Sequence, residues 1–562
     1  MDNKKIAKTI RLYAQLMELH GENAFRTKAI AAAAFKLDKL PFLITSQSLE
    51  KLGEVPGIGK STADKVASLV STGSFPELDQ LLSATPEGIL EMLTLKGLGP
   101  KKIQIIWRDL GIETIGELFY ACNENRLIEA KGFGLKTQEE IKRAIEFSIA
   151  NQGWFLYANV QKLADDVVFS LQELLPKDRK LSYTGDFRRK CEVLQSVDIL
   201  VEASSSELTT AVANIDGLSI QSAAGSQPLE ALTDTGVPFR FIPTDPASFF
   251  RQLIISTGSD AHLRQLDQQL IESQLPEFDS EEAIYRSLGL AYVEPELREG
   301  TNELVLAAAD TLPTLIGYAD LRGTLHNHST YSDGVNTLEE MALYCRDELR
   351  LEYLGISDHS KTAVYAKGLT VERVQEQWAE IDALNARLAP FHIFKGIESD
   401  ILNDGSLDYP DEILTGFDFV VASIHANLKM DMEKATARLL RAIENPYTTI
   451  LGHPTGRLLL SRSGYPIDYA RVIDACAAHG VVIEINANPL RLDLDWRWHR
   501  YAVEKGVLLS INPDAHRNSG FQDMQYGIQV ARKGGLTAEN CLNTFTLERI
   551  KEYFNRKRQQ TR

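Results

Sequence analysis

At 562 residues, 44% hydrophobic and 24% charged, the chain has room for several domains and the balance of an ordinary globular protein. Its longest apolar stretches, such as Ile30–Phe35, are too short to cross a bilayer, and the opening MDNKKIAKTIRLYAQL lacks the apolar centre of a signal peptide, so a cytoplasmic protein without a membrane partner is expected. The formal net charge of −17 argues against a protein that grips nucleic acid by bulk electrostatics, but leaves local contacts through backbone amides and metals open. The five cysteines (122, 191, 345, 476 and 541) form no CxxC pair and read as reduced core residues.

Residues 1–150 read as wholly helical with glycine-rich turns. Three turns share one design: LGEVPGIGKSTADKVASLV (52–70), LKGLGPKKIQIIWRDL (95–110) and KGFGLKTQEEIKRAI (131–145). Each places a GxG hairpin directly before a helix. Glycine permits the tight turn, and the helix start offers amides and a positive dipole end to a phosphate. The pattern resembles the helix-hairpin-helix motif, which holds the DNA backbone without reading sequence. Gly57, Gly59 and Lys60 of the first copy and Gly97, Gly99 and Lys101 of the second are the DNA-binding candidates. Thr137 and Gln138 weaken the third, where basic residues would help.

Residues 155–300 change to alternating strands and helices. LSYTGDFRRKCEVLQSVDILVEA (181–203), TGSDAHLRQL (257–266) and EEAIYRSLGLAYVEPELREG (281–300), together with the hairpins, resemble a bacterial family X DNA polymerase. That resemblance implies a palm with three carboxylates holding two magnesium ions for nucleotidyl transfer. The carboxylates are depleted here. Ser196 stands where the first should be, Asp198 is the second, and Pro238 of Val237-Pro238-Phe239-Arg240 occupies the third. Asp186 replaces a serine that contacts the nucleotide phosphate, and Ile255-Ser256 replaces an aromatic pair. Polymerase activity and magnesium binding in the palm are therefore doubtful, unless Glu192, Glu202 or Asp234 substitutes. Lys65 stands where some family members carry a Schiff-base lysine for abasic-site lyase chemistry; the alternative is a solvated helix lysine.

After a linker helix and incoming strand (301–320), seven short apolar runs follow: Leu321–His328, Tyr353–His359, His392–Glu398, Phe417–His425, Thr449–His453, Val481–Asn486 and Val507–His516. Such runs, separated by helical stretches, read as buried parallel strands of a barrel or wound sheet. Functional residues then collect at the carboxyl ends. Those ends supply His326, His328, His359, Glu398, His425, His453, Asp514 and His516, and Asp333 follows the first run closely. One zinc takes three or four protein ligands, so nine argue for two or three cations sharing bridging groups, a clamp suited to phosphoryl chemistry.

HNHSTYSDG, SDHS, GIESDI, ASIHAN, GHPTGR and NPDAH resemble the polymerase-and-histidinol-phosphatase (PHP) superfamily. That resemblance implies a (β/α)7 barrel with a trinuclear metal site and phosphoesterase activity, in which a metal-bridging hydroxide attacks a phosphoester, with Glu398 bridging two cations. Zinc, manganese or iron would suit the ligands. Arg457 is the first candidate for a phosphate clamp, ahead of Lys361 and Lys367, and Asn488 and Arg491 are candidates to line the pocket. Asp358 is either an orienter of an imidazole or a turn residue. The basic ending NRKRQQTR reads as solvated, with a DNA contact as the minority alternative. The expected class is multidomain α+β and α/β. A helical DNA-binding domain (1–90) and a fingers-like helical region (91–152) precede a nucleotidyltransferase-like palm (153–240), a thumb-like region (241–302), a linker (303–320) and the barrel (321–562). The whole pattern implies a bacterial repair protein, a monomer, acting at 3′ ends or abasic sites of gapped, nicked or 3′-ended duplex DNA. The rivals are a working gap-filling polymerase with an associated 3′→5′ exonuclease, a small-molecule phosphatase, and a non-catalytic DNA-end scaffold.

Overall fold

The computed structural model describes residues 3–40, 42–46, 49–53, 55–95, 97–128, 130–150, 153–222, 228–266 and 277–560. The chain divides into two units, Met1–Glu146 and Phe147–Arg562.

The first unit is helical: α1 (Asn3–Leu19), α2 (Ala24–Asp38), α3 (Leu49–Gly53), α4 (Lys60–Thr72), α5 (Pro76–Ser83), α6 (Glu87–Met92), α7 (Pro100–Arg108), α8 (Ile115–Asn123) and α9 (Leu135–Ala150). Ile6, Ile10, Tyr13, Ala14 and Met17 recur at helical spacing on α1 and are buried, giving it the apolar stripe that packs on its neighbours. Caps fix several starts. Asn23 accepts from the amides of Phe25 and Arg26, and Thr114 and Glu117 form a reciprocal capping box.

The second unit opens with a ribbon of β1 (Phe155–Leu156) and β3 (Val193–Leu194). A five-stranded sheet follows, built from β2 (Leu181–Thr184), β4 (Val197–Glu202), β5 (Leu218–Ile220), β6 (Leu229–Thr233) and β7 (Pro238–Thr244) in the order β2-β4-β7-β6-β5. Only β4 and β7 run parallel, and their register sets Asp198 opposite Arg240. Pro238, which lacks an amide, is tolerated because it is the first residue of β7.

Seven parallel strands make the barrel: β8 (Gly323–Thr324), β9 (Tyr353–Ile356), β10 (His392–Asp400), β11 (Phe419–Ser423), β12 (Ile450–Leu451), β13 (Val482–Asn486) and β14 (Leu509–Asn512), paired in chain order. A parallel bridge between Asn327 and Ala515 ties the first strand's end to the last. Inside, Phe419 fills the space left by Gly355 and Gly396, where an added side chain would collide with its ring. Phe554 of helix Leu547–Gln560 stacks on Phe419 at 5.4 Å, so this helix closes the end of the barrel opposite the strand termini.

Two expectations are corrected here. Residues 301–320 hold helix Glu303–Ala308 and a 3-10 turn at Tyr318–Asp320, and strand pairing starts only at Gly323. The basic ending is not simply solvated. Residues 555–560 continue the closing helix, where Lys557 donates to the carbonyls of His479 (2.6 Å) and Gly480, and Arg558 pairs with Asp418 at 3.1 Å.

Candidate metal centre and DNA-binding hairpins

The three hairpins of the first unit share one geometry. Gly57, Gly97 and Gly132 sit at φ of +88°, +92° and +88°. In each copy the next residue's amide closes the turn: Ile58 to Val55, Leu98 to Leu95 and Phe133 to Ala130. A left-handed φ is the conformation glycine adopts without penalty. Gly59 and Gly99 then open α4 and α7 with no side-chain cap, and Lys60 and Lys101 are exposed beside them. Uncapped amides with a nearby cation are suited to a phosphate. Lys65 is not solvated. It is buried on α4, ion-paired with Glu77 and set over the rings of Tyr13 and Phe75.

In the barrel, all nine predicted side chains gather at the carboxyl ends of the strands. Glu398 is the hub. Its Oε1 lies 3.2 Å from His326 Nε2, and 3.1 Å from Nε2 of both His425 and His453. Its Oε2 lies 3.0 Å from His359 Nδ1 and 3.6 Å from His328 Nε2. Asp514 Oδ1 stands 3.0 Å from His328 Nε2 and 3.5 Å from His326 Nε2. Asp333 faces His359 Nε2 at 3.6 Å and His516 Nε2 at 3.5 Å. Three overlapping groups have donor spacing suited to a cation: His328, Asp333, His359 and His516; His326, His328 and Asp514; and His359, Glu398 and His425.

The electrostatics fit positive charge. Burial pushes the carboxyls of Glu398 and Asp514 up, but the surrounding imidazoles outweigh it and hold both well below the ordinary range. Asp333 is held low in the same way, against its burial, by His516 and His359. Buried atoms His326 Nε2, His328 Nδ1 and Nε2, Asp333 Oδ2, His359 Nδ1 and Glu398 Oε2 have no hydrogen-bond partner among the described residues. Each such atom costs about 1–3 kcal/mol when left alone. Six of them converging on one point would be accounted for by divalent cations, and the mixture of imidazole and carboxylate is one that zinc, manganese or iron accepts.

Residues outside the predicted set aim this cage. Glu484 on β13 is fully buried. It accepts from His326 Nδ1 at 2.7 Å, the His453 amide at 2.8 Å, and the side chains of Asn512 (3.1 Å) and Asn486 (3.2 Å). Asp400 likewise holds His425 Nδ1. A carboxylate on one ring nitrogen fixes the tautomer and turns the other nitrogen inward. The only sequence signal for Glu484 is an acid inside the apolar run VVIEIN, the one run that ends without a candidate ligand. His453 and Asp514 adopt left-handed φ values of 20° and 54°, strain of the kind that accumulates at functional sites.

One candidate is corrected, and for Asp358 the structure matches the turn-residue alternative. Arg457 is not a free phosphate clamp. Its guanidinium donates to the carbonyls of Arg491 (2.8 Å) and Leu492 and to Asp495 (2.6 Å), and so holds the 491–495 loop. Arg491 is the buried guanidinium near the cage, close enough to His453 to add to burial in lowering its basicity. Among the described residues Asp358 has no imidazole hydrogen-bond partner. It accepts from the amides and hydroxyls of Ser329 and Ser332 and from Gln377, and so shapes the turn that delivers Asp333.

The palm is differently occupied. Ser196 donates to Asp198 at 2.7 Å, and Arg240 pairs with Asp198 at 3.2 Å. Asp186 is ion-paired with Arg189, which also reaches Glu299 at 3.0 Å. Arg188 is bound by Glu281. Glu202 pairs with Lys180 at 3.0 Å, and Glu192 lies 3.9 Å from Arg457. The palm contains no group of three converging metal donors among the described residues.

A family model for a helix-hairpin-helix domain matches residues 1–75, and one for a SAM-like helix-hairpin-helix tandem matches residues 89–146. The DNA polymerase/3′-5′ exonuclease PolX of Bacillus subtilis is 33% identical over 579 aligned residues, covering 99% of this chain and 100% of that protein. A probable phosphatase of Thermoanaerobacter sp. is 30% identical over 191 residues, 32% of this chain and 75% of the relative. One of Acetivibrio thermocellus is 25% identical over 246 residues, 42% and 96% respectively. With its hairpins, palm-like sheet and seven-stranded parallel barrel, the chain belongs to the bacterial family X DNA polymerases that carry a C-terminal PHP domain.

Proposed function

We propose that this chain hydrolyses phosphoesters at DNA 3′ ends or abasic sites with its barrel, and that its palm no longer polymerises. The observation that carries the first part is Glu398, one carboxylate within about 3.6 Å of five imidazoles. His326, His328, Asp333, His359, Glu398, His425, His453, Asp514 and His516 hold two or three divalent cations. Bound there, the cations supply Lewis-acid stabilisation of charge developing on phosphoryl oxygens. The chain's own part is to position them: Glu484 and Asp400 aim imidazoles, Asp358 fixes the turn before Asp333, and Arg491 sets a cation beside His453 to hold a substrate phosphate. The hairpins around Gly57, Gly59, Lys60, Gly97, Gly99 and Lys101 hold the duplex backbone.

His326→Ala tests this part. Elemental analysis of the purified chain should show less bound metal, digestion of a gapped duplex from its 3′ end should stop, and DNA binding should persist. Digestion at the unchanged rate would refute the assignment.

The loss of polymerase activity rests on the palm. Of the three carboxylates expected, Asp198 remains, and Arg240 pairs with it. Asp186, at the position of the phosphate-contacting serine, is paired with Arg189, which also meets Glu299, and the neighbouring Arg188 is held by Glu281. Charge for two magnesium ions is therefore missing. The full-length similarity to a named polymerase/exonuclease favours a second reading, a gap-filling polymerase with an associated exonuclease. Primer extension with magnesium and with manganese separates the two; template-directed incorporation would establish the second.

A further inference from the structure

The first hairpin, residues 55–59, differs from its two counterparts in one respect. Lys36, in the last turn of α2, reaches across it and donates to the Pro56 carbonyl at 2.5 Å. The lysine stem lies over Gly57, where an added Cβ would meet Lys36 Cε at 2.8 Å and Cδ at 2.9 Å and would collide with Nζ. Gly57 is therefore constrained twice, by its φ of +88° and by the room that Lys36 takes. The same space over Gly97 and Gly132 is open, with nothing within 4 Å among the described residues.

An ammonium held by a carbonyl keeps its charge. It has three N–H donors, of which Pro56 takes one, and among the described residues no carboxylate is ion-paired with it. Lys36 and Lys60 are both exposed, and α4 opens at Lys60 with no side-chain cap. Gly57 lacks the side chain that would keep a phosphate away, and Lys36 sets its ammonium in the space so left. Resting on the reading that the hairpins hold the duplex backbone, we propose that Lys36 is a DNA-phosphate ligand contributed to the first hairpin from a different helix. With one N–H on Pro56, its other two donors meet the phosphate received at the start of α4. The ligand is a backbone phosphate, so the contact carries no sequence preference. In a chain of net charge −17, a cation fixed at the contact point supplies attraction that the bulk charge does not.

The test is binding of the full chain to a labelled duplex with phosphorothioate linkages at its 3′ ends, followed by fluorescence anisotropy across a KCl series. Each phosphate contact on B-DNA adds about 0.9 to the slope of log K against log[KCl], which amounts to about 8-fold in affinity at 0.1 M KCl. Lys36→Met keeps the stem and removes the charge. It should flatten the slope by about 0.9 and weaken binding by about 8-fold at 0.1 M KCl, and Lys36→Arg should restore both. Weaker binding at an unchanged slope would make Lys36 a brace for the hairpin and overturn the assignment, as would unchanged binding. Lys60→Met tells this assignment from the reading beneath it. If Lys60→Met flattens the slope and Lys36→Met does not, the role of Lys36 alone is overturned. If neither does, the reading that the first hairpin holds DNA is overturned with it.

Discussion

Glu484→Gln is a sharp probe of the cage, because the substitution keeps shape and volume while removing acceptor capacity. Glu484 Oε1 receives His326 Nδ1 and Asn512 Nδ2, and Oε2 receives the His453 amide and Asn486 Nδ2. A glutamine has one acceptor oxygen, so one of these donor pairs must face an NH2 group. Two buried donors without acceptors cost about 1–3 kcal/mol each, giving about 2–6 kcal/mol, shared between stability and the aim of the ligands. If the amide oxygen stays with His453 and Asn486, His326 loses the partner that turns its Nε2 toward Glu398. Loss of such outer support weakens metal binding by about 10- to 100-fold. Metal retention would be read by elemental analysis after dialysis against graded chelator, and stability by urea unfolding in excess chelator. A variant that keeps its metal at the same chelator concentration as wild type would refute the role given to Glu484, whatever its effect on unfolding.

Two further outcomes are expected. Arg457→Ala should cost about 2–6 kcal/mol in urea unfolding, because it leaves the Arg491 and Leu492 carbonyls without their donor at about 1–3 kcal/mol each, while Asp495 keeps Arg497 as a partner, and Arg457→Lys should rescue little since one ammonium cannot replace the fork; an unchanged midpoint refutes this. His499 is fully buried with Nε2 3.0 Å from the Leu494 carbonyl, and burial lowers its pKa from 6.5 to about 4. The unfolded ring therefore binds its proton first: the stability is intact above pH 6.5 and is lost as pH falls toward 4, reaching about 2 kcal/mol at pH 5 and about 3 kcal/mol below pH 4. Urea midpoints at pH 7.5 and pH 5 for wild type and His499→Gln should diverge by this amount, and parallel curves would refute it.

The barrel was legible because its physics is local. A buried parallel strand must be apolar on both faces, so each run announces itself, and a ligand at its carboxyl end interrupts the pattern at a fixed place. That logic located Glu398 on β10 and His425 just beyond β11. It failed for Glu484 and Asp400, which hold another ligand's ring rather than facing the cage themselves, and those rings lie 158 and 25 residues away, on His326 and His425. Arg457 misled for the opposite reason. Its position in the loop after His453 was right for a clamp, but the 491–495 segment that captures it comes from another crossover. The same applies to Lys65, whose burial under Tyr13 and Phe75 depends on packing between helices that periodicity alone cannot pair.

The palm carries the reasoning one step further. In nucleotidyl transfer, metal ions and a triphosphate engage the site's carboxylates and arginines. Here the polar groups complete one another. Asp186 is closed by Arg189, Arg189 by Glu299, and Glu299 by Lys533 of helix Met524–Lys533, which packs beside the barrel. Arg532 of the same helix reaches Glu296 at 2.8 Å. These ion pairs join the palm-like sheet, the segment around Glu296 and Glu299 and the barrel. The barrel is the inverse case: six buried ring and carboxylate atoms of His326, His328, Asp333, His359 and Glu398 have no hydrogen-bond partner among the described residues. Paired charges in the palm and unpaired donors in the barrel are the contrast on which the proposed division of activity rests.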